Sequence, residues 1–352
     1  MRLSKSLTAG ALGAAMAIGA LAAAPQVRAE DTVRLNMPST FPSRLVILGT
    51  LGTKLTETVD AVSGGELKLT YHEPGALVPA LEVFDATASG SVEAAWSVPG
   101  YWTGKNMALA LFSAVPFGPS ASEYLAWIYH GGGHELMNDI YNRNGLHSLI
   151  CGVIAPEASG WFREEITSVE DLEGLKMRFF GLGARVMQRL GVDTQLLAGG
   201  DIYPALERGT IDATEFSMPA IDLDLGFYQI AKHYYFPGWH QQSTLFDLMM
   251  NKEKWDALSD VQKVQSETAC QANIAMMLAE GEAIQFSAMA ELQEKGVTLH
   301  RWPPEVLGDL EAAWNDVAAE LAAEDATFKK VWDSFTTYRA GYKVWKDLGY
   351  LN

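Results

Sequence analysis

The chain has 352 residues, of which 43 are Asp or Glu and 26 are Lys or Arg, giving a formal net charge of -17. So acidic a chain is a poor partner for nucleic acid or anionic lipid. Its length suffices for two lobes and a sizeable core, and its ordinary hydrophobic content excludes a disordered chain and a multi-span membrane protein.

The N-terminus reads as a segment apart. Arg2 and Lys5 precede an apolar run rich in Ala and Gly from Leu7 to Ala24, and Val27-Arg28-Ala29 places small residues where a signal peptidase reads them. Residues 1–29 are expected to be a secretory signal cut after Ala29. An uncleaved anchor is the alternative, and the shortness of the run argues against it. Removing the segment takes away Arg2, Lys5 and Arg28 and leaves the rest more acidic still.

Thr32 to Met37 reads as a strand, Arg44 to Val62 as a helix stopped by Gly64-Gly65, and Glu66 to Tyr71 as a second strand. A helix over Leu77 to Ala88 and a strand over Ser91 to Val98 follow. Helices are expected over Ser122 to His130 and Glu135 to Asn144. A long apolar strand, His147 to Ala155, crosses to a second lobe.

That lobe repeats the alternation. Its strands are Trp161-Phe162, Leu175 to Phe179, Thr194 to Leu197, Ile211 to Phe216 and His233 to Phe236. Its helices are Ala184 to Leu190, Ile202 to Glu207 and Asp222 to Ala231. Such alternation implies parallel βαβ units. Thr244 to Met250 reads as a strand returning to the first lobe. Beyond it, Ser259 is a plausible N-cap for an unusually long helix, Asp260 to Glu294. A short strand, Val297 to Arg301, and amphipathic helices over Pro304 to Ala323 and Ala326 to Leu348 complete the chain.

The expected architecture is therefore α/β with two hinged lobes. Residues 30–150 form lobe one, to which 240–258 return. Residues 151–239 form lobe two, and 259–352 form a helical region packing on both. Ligand would bind where strand ends face each other across the cleft. Cys151 and Cys270 are the only cysteines. An exported location permits a disulfide, but their places in a strand and a distant helix favour two buried free thiols.

Two side chains carry the chemistry. Arg178 ends the strand-like run Leu175-Lys176-Met177-Arg178, ahead of Gly181-Leu182-Gly183, and its guanidinium is a planar fork that matches a carboxylate. Glu215 ends Ile211 to Phe216 in apolar company, where it is either solvated or paired with a cation. The bland reading of Arg178 is an ordinary surface arginine.

The stretch Gly174 to Gln241 resembles the solute-binding subunits of tripartite ATP-independent periplasmic (TRAP) transporters, in the branch that binds 2-oxo acids with a cation. So do Ser39 to Pro42, Ala114 to Gly118, Trp127 to Gly133 and Gly160 to Arg163. The resemblance implies that Arg178 clamps a carboxylate. It also implies that Glu157, Glu215, Gln241 and the Phe216 carbonyl hold Na⁺ or Ca²⁺. Oxygen-only donors suit those ions. A small organic acid, TRAP membrane subunits and a second copy of the chain are the implied partners. The dimer contact is expected on the last helix, and the long helix is itself a mark of the family.

The chain departs from the family at five places, one of them Phe216, where the family often has Trp and this chain keeps an aromatic wall without the indole donor. Related proteins carry Gln at Glu157 and Glu at Gln241, which implies that an amide and a carboxylate are exchanged here; the competing reading is that the cation site is lost. They carry Asn at Val153 and Tyr near Gly100, which implies a less polar and roomier pocket. Trp96, Tyr101, Trp102, Phe180 and Trp239 are candidate walls. Phe41 and Arg44 flank the first strand-helix turn and are weaker candidates for the cleft, with an exposed Arg44 the equal alternative.

Two other readings stay open. One is a cation-free site for a sugar acid, an aromatic acid or a sulfonate. The other is an exported hydrolase using His130 or His134. His130-Gly131-Gly132-Gly133 looks like an oxyanion loop, but no G-x-S-x-G nucleophile accompanies it.

Overall fold

A computed structural model of the chain describes residues 32–351, so the signal segment expected over residues 1–29 lies outside the described residues. In chain order, β1 is Val33–Pro38, α1 Thr50–Val62, β2 Leu67–His72, α2 Val83–Ala88, β3 Ala94–Ser97, α3 Ala121–His130, α4 Gly133–Arg143 and β4 Leu146–Ile154. There follow β5 Gly160–Phe162, β6 Lys176–Arg178, α5 Gly181–Arg189, β7 Asp193–Gln195, α6 Gly199–Glu207, β8 Ala213–Thr214, α7 Pro219–Leu225 and β9 His233–Phe236. The last third holds β10 Thr244–Asn251, α8 Lys252–Ala257, α9 Asp260–Ala283, α10 Gln285–Glu294, β11 Thr298–Arg301, α11 Pro304–Glu324 and α12 Ala326–Gly349.

Two sheet systems face different parts of the core. In one, β1 pairs with β2 in parallel, and β10 lies between β3 and β4, antiparallel to both. A bridge from Ser39 to Trp96 links β1 to β3. The other is a six-stranded sheet in the order β11-β9-β5-β8-β6-β7. Purely parallel units, expected from the alternation, are only part of the pattern. β6 pairs in parallel with β7 and β8, but β5 runs antiparallel to β8 and β9. The cause is connectivity: strands that carry the chain between the sheets enter against the local direction.

Helix α1 begins six residues later than its apolar spacing suggests. Ile47 adopts a left-handed backbone at φ 64°, which a β-branched residue reaches only under constraint, and its N–H donates to Thr50 Oγ1 (2.9 Å). Gly49 packs so close to the Pro42 carbonyl that no side chain fits. Residues 42–49 thus form a buried turn rather than a first helical turn.

The Ser259 cap is present with its reciprocal partner: Gln262 N–H donates to Ser259 Oγ (3.2 Å), and Ser259 N–H donates to Gln262 Oε1 (3.0 Å). The helical run from Asp260 is broken once, at Ile284 (φ -101°, ψ -4°). Just past the break, Gln285 donates to the Gly281 carbonyl (2.6 Å) and accepts from Ala220 N–H (2.9 Å). α9 packs on β4 and α1, and α10 on α7, so this run spans both lobes.

The expectation of two free thiols is overturned. Cys151 of β4 and Cys270 of α9 form a disulfide, their Cα atoms 4.0 Å apart. β4 and α9 pack face to face, and Asn273 Nδ2 donates to the Cys151 carbonyl one turn along (2.8 Å). In α12, Phe328, Val331 and Phe335 bury into this chain's own core. Val344, Trp345 and Leu348 beyond them are exposed.

Candidate functional site

The site grows from two neighbouring strand ends. β6 and β8 are parallel with Arg178 opposite Thr214, so the next residue, Glu215, stands beside the guanidinium. Arg178 Nη1 donates to Glu215 Oε1 (2.7 Å) and to the Glu215 carbonyl (2.8 Å), and Nε donates to the Leu197 carbonyl (3.2 Å). Phe216 lies under the guanidinium, 5.2 Å from ring centre to Cζ. Arg178 is only 1% exposed, which disposes of the surface-arginine reading. Its Nη2 makes no hydrogen bond among the described residues, and Arg178 lines a cavity.

Glu157 comes from the connection between β4 and β5, and Gln241 from the turn after β9. Backbone bonds tie the two segments together: Glu157 N–H donates to the Gln241 carbonyl (3.3 Å) and Gly238 N–H to the Glu157 carbonyl (2.9 Å). Ser217 Oγ donates to Glu157 Oε1 (2.8 Å). Glu157, Arg178, Phe216, Gln241 and Tyr101 all line the cavity. Burial and the negative charge of Glu215 push the Glu157 carboxyl well above its usual range. Burial also opposes ionisation of Glu215, but Arg178 and His240 outweigh it and hold that carboxyl below its ordinary value. Burial pushes the Tyr101 phenol up to about 12, against the pull of Arg178.

The remaining walls are mostly apolar: Phe41, Leu48, Val98, Ile154, Phe180 and Phe246, with Thr244. Several expected walls lie elsewhere. Trp102 packs on Phe84 (5.5 Å between ring centres), Trp239 sits between Phe117 and Phe179, and Trp96 donates to the Leu48 carbonyl (2.7 Å). These three are core. Arg44 is exposed and borders a separate surface depression with Glu73 and Asp201.

The extra room expected from Gly100 is filled. A Cβ there would stand 2.4 Å from Phe180 Cζ, so the Phe180 ring occupies the place. Val153 is buried away from the cavity, whose wall at that point is Ile154. His134 is used structurally, within hydrogen-bond distance of Asn138 Nδ2 (3.1 Å) and of the Ser148 carbonyl (3.3 Å). His130 ends α3 at the surface.

One buried group was not anticipated as part of the site. His240 Nε2 lies 3.7 Å from Glu215 Oε2 and 3.9 Å from Glu157 Oε2. His240 stands between Trp239 and Gln241 in a motif already visible in the sequence, but nothing there shows which way its ring points. Ser217, two residues after Glu215, carries no sequence signal at all.

A two-lobed α/β frame with a buried arginine lining its cavity is the arrangement of a solute-binding protein. The comparisons give the family. Residues 39–325 match the model of bacterial extracellular solute-binding protein, family 7, and the chain belongs to that family. It is 36% identical to a monocarboxylate 2-oxoacid-binding periplasmic protein of Nostoc sp., over 91% of this chain and 88% of the relative.

Among solved structures, a TRAP transporter solute-binding protein of Bordetella bronchiseptica, with calcium and picolinate bound, superposes with a TM-score of 0.87 at 33% identity; the match covers 90% of this chain and 96% of that one. A TRAP periplasmic solute-binding protein of Pseudoalteromonas atlantica with sodium and pyruvate gives 0.86 at 33% identity, over 90% and 96%. One from Colwellia psychrerythraea with calcium and pyruvate gives 0.86 at 33%, over 90% and 97%.

Proposed function

We propose that this chain captures a small 2-oxo or 2-hydroxy monocarboxylate together with a cation in the periplasm and delivers it to TRAP membrane subunits. The observation that carries the reading is the pinned arginine. Glu215 and two carbonyls hold Nε and Nη1, which leaves Nη2 free on an arginine that lines a largely apolar cavity. A carboxylate there gains a charge-assisted bond with little reorganisation.

The donor set suits a cation beside it. Glu157 Oε2, Glu215 Oε2 and Gln241 Oε1 are buried without a hydrogen-bond partner. Buried polar atoms of that kind call for a partner. With Glu157, Glu215, Gln241 and the Phe216 carbonyl as ligands, a bound Na⁺ or Ca²⁺ would neutralise them and touch the acid's carboxylate and 2-oxygen. The exchanged positions, Glu157 and Gln241, still supply a carboxylate and an amide oxygen. The lobes, 30–150 with 240–258 and 151–239, close over the pair and exclude water.

The disulfide agrees with an oxidising compartment. We further read the exposed end of α12 as the contact of a homodimer.

The test is thermal unfolding of metal-stripped protein with pyruvate, lactate, an aromatic acid and a sugar acid, each with EDTA, Na⁺ or Ca²⁺. Stabilisation by pyruvate or lactate only when a cation is present is the expected result, worth about 2.7 kcal/mol at a hundredfold excess over Kd. Stabilisation by a sugar or aromatic acid irrespective of the cation overturns the reading.

A further inference from the structure

We infer that His240 is itself a ligand of the cation site and that its imidazole makes the site bind a first-row transition ion, of which Zn²⁺ is the representative, more tightly than the Na⁺ or Ca²⁺ that its oxygen donors still admit. This rests on the reading that a cation binds beside Arg178.

Three observations carry it. His240 is 1% exposed, and neither Nδ1 nor Nε2 has a hydrogen-bond partner. An imidazole buried with both nitrogens idle is costly, since each polar atom has lost water without replacement. Its Nε2 converges on the same point as the idle oxygens of Glu157 and Glu215, with all three donor atoms within 4.8 Å of one another.

The separations of 3.7 and 3.9 Å are too long for hydrogen bonds. They are the spacing of two donors bound to one ion with bonds of about 2.0–2.5 Å. The ring is also held in place. Phe179 lies edge-on to it (5.0 Å between ring centres), and Gly183 is so close that a Cβ there would stand 2.9 Å from His240 Cβ.

Two carboxylates and an imidazole differ in kind from an oxygen-only cage. Neutral imidazole nitrogen favours zinc-like ions, whereas Na⁺ and Ca²⁺ take oxygen. Gln241 Oε1 and the incoming acid would complete the sphere. The chain thus retains a cation site at the family's position while changing its chemistry, and the acid it selects is one able to chelate: a carboxylate with an adjacent oxygen.

The test equilibrates metal-stripped protein at pH 7.5 with Ca²⁺, Mn²⁺ and Zn²⁺ in competition, under chelator-buffered free concentrations, and measures bound metal by mass spectrometry. X-ray absorption of the zinc-loaded protein then reads its ligands. Expected are preferential Zn²⁺ uptake at one per chain, an imidazole in the first coordination sphere, and a loss of Zn²⁺ affinity of more than about tenfold in His240→Gln, with Ca²⁺ affinity changed less than about threefold. The absorption measurement on the unaltered chain decides the matter even if the variant fails to fold. Preferential Ca²⁺ binding, or zinc without an imidazole ligand, overturns the inference and leaves the cation reading standing. Failure of all three ions to bind, together with no binding of Na⁺ in a separate titration, overturns both.

Discussion

Arg178 and Glu215 form a buried ion pair at 2.7 Å, the arginine 1% and the glutamate 0% exposed, with the same guanidinium nitrogen also bonded to the glutamate's own carbonyl. Each partner is tolerable inside only because of the other. The pair also holds the guanidinium of an arginine that lines the cavity.

Replacing Arg178 should therefore do two separable things. Arg178→Met strands a buried carboxylate and should cost about 3–5 kcal/mol of stability, read by denaturant unfolding. Arg178→Lys keeps a charge near Glu215 but loses the fork. It should unfold closer to the unaltered chain while binding the acid about 10–100-fold more weakly by calorimetry. A lysine variant that binds the acid normally would remove Arg178 from the ligand site.

The disulfide joins residues 119 apart in sequence and fastens α9 to β4. Reduction, or Cys270→Ser, should lower stability by about 2–5 kcal/mol, with the unfolding midpoint falling by several degrees. A thiol assay on the denatured, unreduced protein should find no free cysteine. Two reactive thiols there would contradict the bond.

A buried carboxyl away from the site governs part of the pH dependence. Asp247 is 0% exposed and accepts a bond from Ser148 Oγ (2.8 Å). Burial pushes it from 3.8 up to about 7, against the opposing pull of Tyr141 and Ser148. Between pH 4 and pH 7 the folded chain holds a proton on this group that the unfolded chain has released. Folding then takes up a proton, and stability falls as pH rises through that window. Asp247→Asn escapes this, so its stability relative to the unaltered chain should rise across the same window, by up to about 4 kcal/mol. Unfolding midpoints measured at half-unit pH steps check it, and parallel profiles for the two proteins would refute it.

Much of the fold was legible in the sequence. The elements β1, β2, β4, β9 and β10 lie within a residue or two of their expected places, because apolar runs and alternation report burial directly. The Ser259 cap was legible because capping is a local exchange of hydrogen bonds. The fold brings Arg178, Glu157, Gln241, Phe216 and Tyr101 to one cavity, with Glu215 paired to Arg178.

What failed was local pattern overridden by packing. Residues 44–49 have helical spacing but form a turn, because Ile47 and Gly49 are pressed against the core. α8 was missed, since a six-residue helix after a strand has little periodicity to show. Trp102 looked like a wall because aromatic residues near a site are indistinguishable in sequence from aromatic residues behind it.

By itself, the sequence determined the alternation of strands and helices, the starts of α9, α11 and α12, the arginine and carboxylate at strand ends, and the family. Those follow from local periodicity and from side-chain chemistry that does not depend on neighbours far along the chain. Only the tertiary structure decided that Cys151 meets Cys270, that Phe180 fills the space over Gly100, and that His240 turns its ring toward Glu157 and Glu215. Each of these joins segments whose mutual orientation is set by the packing of whole sheets and helices, and no spacing within one segment encodes which distant surface it will meet.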